Sequence, residues 1–194
     1  MPDLVYILEK VGYIGIFGII FLESFPMTFF LPGDSLLFSV GFLASVGVFS
    51  LPVLFVTIFI AGFFGYIFSY WLGQKIIKKF FNNPNSKIFN PKYVEYTREF
   101  FAKYGAKTII IGRFVPIVRS FGPALAGVAD VNFKKFIVLD LIGTIIWSVG
   151  ITSAGFYLGR IMPGAEKYIT HYILIIVFLS ILPTIIEVLR RKKK

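Results

Sequence analysis

The chain has 194 residues, of which 57% are hydrophobic, 19% aromatic and only 15% charged; soluble globular domains are roughly 45–50% apolar. That composition points to an integral membrane protein with room for a single domain, 1–194, of several spans. The absence of cysteine removes disulfides and thiolate chemistry, and the net charge of +10 lies between apolar runs and at the C-terminus rather than on a soluble nucleic-acid face. Basic excess of that kind marks loops kept in the cytoplasm beside anionic lipid.

Residues 1–12 read as a short interfacial segment. Asp3 and Glu9 make it acidic and no small-residue cleavage site follows, so a cleavable signal peptide is not expected. The apolar run from Tyr13 to Leu22 is interrupted at Glu23, Pro26, Pro32, Gly33 and Asp34, then resumes from Leu36 to Val48. Neither arm reaches the roughly 20 residues needed to cross about 30 Å of hydrocarbon. The pattern predicts a re-entrant hairpin over 13–48, whose broken tip is buried in protein or lines a wet cavity.

Residues 51–72 are apolar for long enough to span, and Gly62 and Gly65 allow close approach of a neighbouring helix. The segment 74–107 holds eight basic residues against two acidic ones, Glu95 and Glu99, and is placed in the cytoplasm as a linker. Its part from Lys92 to Lys103 mixes aromatic and charged residues as an amphipathic surface helix does. From 108 to 128 the chain is again apolar and again broken, by Gly112, Pro116, Gly122, Pro123 and Gly127, which predicts a second re-entrant hairpin. Spans follow at 136–158 and 169–189, and the basic tail 190–194 lands in the cytoplasm, where both the charge rule and the count of crossings put it.

A weak internal repeat relates the two halves. Glu23 and Pro26 align with Arg113 and Pro116, and Tyr70, Trp71, Leu72, Gly73 with Phe156, Tyr157, Leu158, Gly159. Each unit, 1–73 and 108–159, is a broken hairpin followed by one span, so the second copy is inverted relative to the first. The fold expected is all-α: two opposed re-entrant helical hairpins plus about three transmembrane helices in an inverted repeat.

The stretch from Gly112 to Pro123 places Arg113 and Arg119 inside an apolar segment. Each charge at bilayer depth costs about 2.5–3.5 kcal/mol unless it is paired or faces water, which makes both arginines candidates for function. Glu23 and Asp34 carry the opposite charge on the other hairpin, and if the tips meet the four charges cancel. Paired guanidinium forks match phosphate oxygens, so Arg113 and Arg119 are the expected phosphate ligands. Glu23 and Asp34 are the expected proton-coupling or gating groups, competing with phosphate for the same arginines. The same four residues would equally form a static salt-bridge network pinning the hairpins.

Asp140, inside a span near Gly143 and Trp147, must find a partner and is given a supporting place, with Pro26, Pro32, Gly33, Pro116 and Pro123 as the residues that break the helices. Trp71 and Trp147 read as interface or packing residues. His171 stands alone at the edge of a span, so the serine and histidine constellation of an intramembrane phosphatase or protease is not in sight. A transporter is expected rather than an enzyme, with no metal and no cofactor.

Glu23, Pro26, Pro32, Gly33, Asp34, Tyr104, Gly105, Arg113, Phe114, Pro116, Arg119, Ala126, Gly127, Phe136, Asp140, Gly143 and Trp147 together resemble the pattern of the DedA family, the SNARE-associated or VTT-domain proteins. The resemblance covers roughly residues 11–190, with a Glu23 to Asp34 spacing about one residue tighter than in some members. It implies a small membrane transporter with two opposed re-entrant loops that moves lipid. In bacterial members the lipid is undecaprenyl phosphate or phosphatidylethanolamine, with a link to envelope integrity and the proton-motive force; eukaryotic relatives scramble phospholipids. It also implies that the matching acids and arginines, here Glu23, Asp34, Arg113 and Arg119, are required. The expected function is therefore a flippase or scramblase in the cytoplasmic membrane, acting first on undecaprenyl phosphate and coupled to protons. A phosphatidylethanolamine scramblase and a proton-coupled exporter of a small cationic solute are the alternatives. The expected partners are a membrane lipid and protons, with a homodimer as an option and no nucleic acid.

Overall fold

The computed structural model describes residues 2–28, 31, 33–81, 91–105 and 107–161, with side chains over 12–26, 28, 31, 33–79, 95–105, 107–115 and 118–161. The predicted span 169–189, the tail 190–194, Pro32 and His171 lie outside the described residues. Every regular element among the described residues is helical: α1 (Pro2–Glu23), a 3-10 turn (Pro26–Thr28), α2 (Gly33–Ser45), α3 (Leu51–Leu72), a π turn (Gly73–Ile77), α4 (Lys78–Phe81), α5 (Pro91–Tyr104), α6 (Thr108–Gly112), α7 (Pro116–Val128) and α8 (Phe133–Ile161).

Two helical stretches, Leu51–Ile77 and Phe133–Ile161, are long and apolar enough to cross a bilayer, and Gly12–Glu23 and Gly33–Ser45 are shorter apolar helices. Large apolar side chains stand exposed along them, among them Val56, Phe64 and Phe68 on α3 and Val138, Ile142 and Ile146 on α8. Runs of that size are the surface of a protein solvated by lipid rather than water.

Three local outcomes differ from the sequence expectation. α1 is one helix from Pro2 to Glu23, so the segment 1–12 is not separate from the apolar arm; no proline stands between them to break the ladder. Helical structure does not stop at Leu72 but passes through the π turn and α4 to Phe81, into the stretch read as linker. And α7 runs through Gly122 and Pro123, both read as breakers. A residue before proline is pushed out of the helical region chiefly by its Cβ, and glycine has none, so the Gly122–Pro123 pair can stay helical.

Of the described residues, 2–19, 31, 33–58 and 148–161 form one compact unit, and 20–28, 59–81, 91–105 and 107–147 form the other. In the first, α2 meets α8 backbone to backbone. A Cβ on Gly41 would fall on the Thr152 carbonyl oxygen, with the carbonyl carbon 2.9 Å away. A Cβ on Gly155 would fall on the Phe38 carbonyl in the same way, its carbon also 2.9 Å away. α2 then ends in a glycine cap: Gly47 takes φ +83° and Val48 N–H donates to the Leu43 carbonyl at 3.0 Å.

The second unit repeats this contact with different helices. A Cβ on Gly127 of α7 would strike the Tyr70 carbonyl, and one on Gly73 would strike the Ala124 carbonyl, leaving the respective carbonyl carbons 2.9 and 2.7 Å away. In each of the four helices the contacting carbonyl and glycine are three residues apart: Phe38 and Gly41, Thr152 and Gly155, Tyr70 and Gly73, Ala124 and Gly127. The same glycine-to-carbonyl contact thus occurs in each unit, in a register that differs from the sequence alignment. Gly73 corresponds in its contacts to Gly155, four residues before the Gly159 with which the sequence aligns it.

Candidate functional site

The site lies in the second unit, where three helix ends and two long helices bring charged side chains together. Proline sets the local geometry. Val115, preceding Pro116, adopts φ −116° and ψ 111°, which ends α6 and starts α7 with Pro116 in its first turn. Arg113 thus sits at the end of α6 and Arg119 one turn into α7, its N–H donating to the Val115 carbonyl at 2.8 Å. Phe25 precedes Pro26 in the same way, and α1 stops at Glu23 with tightened bonds from Ser24 N–H to the Phe21 carbonyl (3.2 Å) and Phe25 N–H to the Leu22 carbonyl (3.0 Å).

All four charged side chains of the site are enclosed. Arg119 Nη2 donates to Glu23 Oε1, in a pair whose side chains are 4% and 2% exposed. Arg113 Nη2 donates to Asp140 Oδ1, at 1% and 0%, and lies 3.4 Å from the Gly62 carbonyl oxygen. Ser120 Oγ donates to the Glu23 carbonyl at 3.1 Å, a second tie between α7 and the end of α1. Thr144 Oγ1 donates to the Asp140 carbonyl at 2.6 Å and lies 3.1 Å from Asp140 Oδ1. Two arginines and two carboxylates leave the cluster formally neutral, the condition under which charge survives out of water.

Aromatic rings complete the enclosure. The Arg113 guanidinium carbon lies 3.6 Å from the centre of the Tyr66 ring, and the Trp147 ring is 5.7 Å from Arg113 and 5.4 Å from Arg119. All three distances suit cation–π attraction. Glycines make the room: a Cβ on Gly143 would stand 3.2 Å from Arg113 Cδ, and one on Gly62 3.5 Å from Arg113 Nη1. The Arg113 pair is not fully satisfied. Arg113 Nε and Asp140 Oδ2 are buried with no hydrogen-bond partner among the described residues. The space left beside Glu23, Arg113, Arg119, Tyr66 and Trp147 is about 10 Å³, at the lower limit for a single water.

The structure thus brings Glu23, Arg113 and Arg119 together, as their residue types suggest, and sets Asp140 beside Arg113. Asp34 belongs to the other unit, half-buried in the first turn of α2, where a carboxylate favours the helix dipole. The acid facing Arg113 is Asp140, to which sequence reasoning gives only a supporting place. Tyr66 and Ser120 are missed as site residues, and Trp147 is read as an interface or packing residue. The signal for Trp147 was present, since Asp140, Gly143, Thr144 and Trp147 recur at helical spacing on one face of α8. Among the described residues no three His, Cys, Asp or Glu side chains gather closely enough to hold a metal.

Residues 31–157 match the VTT domain. The chain is 41% identical over 184 residues to Protein DedA of Escherichia coli K12, covering 93% of this chain and 84% of that protein. It is 36% identical over 168 residues to an uncharacterised membrane protein of Mycobacterium leprae (87% and 75% covered), and 30% identical over 155 residues to the inner membrane protein YqjA of Escherichia coli K12 (76% and 68%). No solved structure matches the chain. A VTT domain spanning most of the chain, relatives named as membrane proteins and long lipid-facing helices agree: the chain belongs to the DedA family of membrane proteins.

Proposed function

We propose that the protein is a transporter, not an enzyme, that moves a lipid with an anionic headgroup across the cytoplasmic membrane, with undecaprenyl phosphate as the first candidate and protons as the coupling ion. The chain crosses the membrane several times, with two opposed re-entrant hairpins in an inverted repeat and its C-terminus in the cytoplasm. The observation that carries the reading is the pair of enclosed arginines at the α6–α7 break, each engaged by a carboxylate oxygen. Arg113 keeps an unused buried donor, Nε, which a phosphate oxygen would satisfy.

With about 10 Å³ of free space, this is the closed state of such a site. A headgroup enters when a carboxylate gives up its arginine, and protonation of Glu23 or Asp140 is the simplest way to weaken that hold. The carboxylate and the phosphate thus compete for one arginine. Each proton taken up by an acid favours the phosphate on the arginine, which couples binding of the proton to binding of the lipid.

The balance of two acids against two arginines supports a second reading. A zwitterionic headgroup, such as that of phosphatidylethanolamine, would offer its phosphate to an arginine and its ammonium to a carboxylate. Liposomes containing the full chain decide between these readings when fluorescent or isotopically labelled polyprenyl phosphate and phosphatidylethanolamine are followed between leaflets, with and without a pH gradient. Transport of the first, accelerated by the gradient, is the expected result. Movement of neither lipid would overturn the function proposed.

A further inference from the structure

Apart from the charged site, the second unit holds an apolar cavity of about 520 Å³, within the roughly 300–1,000 Å³ of ligand pockets. Its walls come from separate segments: Tyr66 of α3, Phe101 of α5, Ile109 of α6, and Val118, Phe121 and Leu125 of α7. A groove built by four helices differs from the ordinary lipid-facing surface of one helix. We propose that this cavity holds one hydrocarbon chain of the phosphate-bearing lipid whose headgroup engages Arg113 and Arg119, an inference that rests on the function proposed above.

Continuity with the charged site carries the assignment. Tyr66 lines the cavity and also stacks on the Arg113 guanidinium at 3.6 Å, so one ring is the wall between hydrocarbon and charge. Gly112 and Val118, both in the cavity wall, are the chain neighbours of Arg113 and Arg119. A phosphate at the arginines therefore has an apolar cavity within one side chain of it, while the charged site itself has no space for a chain. α5 is the amphipathic element of this wall. Tyr96, Phe100 and Phe101 line the cavity, Tyr96 and Phe100 at its exposed rim, and Glu95, Arg98, Glu99 and Lys103 are exposed beside them. Arg98 also reaches Asp130 at 3.2 Å, which fastens α5 beside the end of α7.

The test uses the full chain in liposomes and three photoactivatable probes that carry a diazirine on one chain: phosphatidic acid, polyprenyl phosphate, and diacylglycerol as the phosphate-free control. Labelling by the two phosphate lipids is expected on the peptides holding Val118 to Leu125 and Tyr96 to Phe101. Filling the cavity from opposite walls, with Thr97→Phe or Leu125→Trp, displaces several buried methylenes and is expected to lower labelling by about tenfold. Arg119→Gln is expected to reduce phosphatidic acid labelling to the diacylglycerol level. Label spread over the exposed faces of α3 and α8, unchanged by either filling variant, would overturn the proposal. Equal labelling of the cavity by diacylglycerol and phosphatidic acid would instead uphold a chain-binding cavity and defeat the headgroup reading. If the filled variants fail to fold, competition on the unaltered protein decides: hexadecyl phosphate must displace the label where butyl phosphate does not, and equal competition by both refutes the cavity.

Discussion

Replacing Glu23 with glutamine removes the negative charge from a pair whose side chains are 2% and 4% exposed. The Arg119 guanidinium is then enclosed with its positive charge uncompensated, a situation that costs about 3–5 kcal/mol when one member of a buried pair is lost. Glutamine keeps an oxygen that accepts the Arg119 hydrogen bond, and the Ser120 bond to the residue 23 carbonyl is untouched, so the lower end of that range, about 3 kcal/mol, is the appropriate figure. At roughly 2–4 °C per kcal/mol for a chain of this size, the melting temperature in detergent should fall by about 6–12 °C. Binding should move the other way. With its competitor neutralised, Arg119 is open to an anion, so affinity for glycerol 3-phosphate rises while proton-dependent transport is lost. Adding Arg119→Gln to Glu23→Gln removes the stranded charge and should recover most of the lost stability without recovering phosphate binding. A Glu23→Gln protein that melts within 2 °C of the unaltered one and binds phosphate no better would refute both the energetics and the competition.

Reversing the pair, with Glu23→Arg and Arg119→Glu together, should give a folded protein that carries no lipid above background in the liposome assay; full transport by the reversed pair would mean that the charges serve only as a static tie. Gly41→Leu drives a side chain into the Thr152 carbonyl and should destabilise by at least about 1–3 kcal/mol, read as lost monodisperse protein and a lower melting temperature. Asp130 lies outside the spans, between α7 and α8. Burial alone would raise its pKa, but hydrogen bonds and charge from Lys78 and Arg98 outweigh this and hold the carboxyl below its ordinary value. A depressed folded value stabilises above the unfolded pKa of about 3.9 and loses that contribution as pH falls through the folded value. Because the group is 41% exposed, Asp130→Asn should cost less than about 1 kcal/mol at pH 7, and the difference should vanish once acid has protonated the native aspartate. A difference that grows in acid would reverse the sign of this argument.

Residue type and spacing reveal most of the architecture because the bilayer imposes long apolar helices and the prolines impose breaks. The start of α3 at Leu51 and the interruption after Arg113 caused by Val115–Pro116 follow from the sequence directly. Pro123 misleads because its effect depends on a neighbour: Gly122 allows the turn, α7 continues through it, and Ala124 and Gly127 beyond it pack against the end of α3. The site was legible as a set of charges but not as a set of pairs. Sequence reasoning sets Glu23 and Asp34 against the arginines and gives Asp140 a supporting place, and only tertiary packing shows Arg113 opposite Asp140. The small and aromatic residues around Arg113 were hidden for the same reason, since Gly62, Tyr66 and Gly143 acquire meaning only once α3 and α8 flank the α6–α7 break.

The glycine contacts also bear on how such a chain is made. α2 seats on α8, and α7 on α3, so each of these two glycine-to-carbonyl pairs joins an element from one half of the sequence to an element from the other. Neither of the two is complete within one half. At about 5–20 residues per second, synthesis delivers α2 to the membrane several seconds before α8 exists to receive it, and in that interval the Gly41 face of α2 has no partner helix. The nascent protein therefore passes through a half-made stage in which a backbone surface shaped for another helix is open to lipid or to an insertion factor. Its two halves, expressed as separate chains, would each be incomplete and would need the other to close.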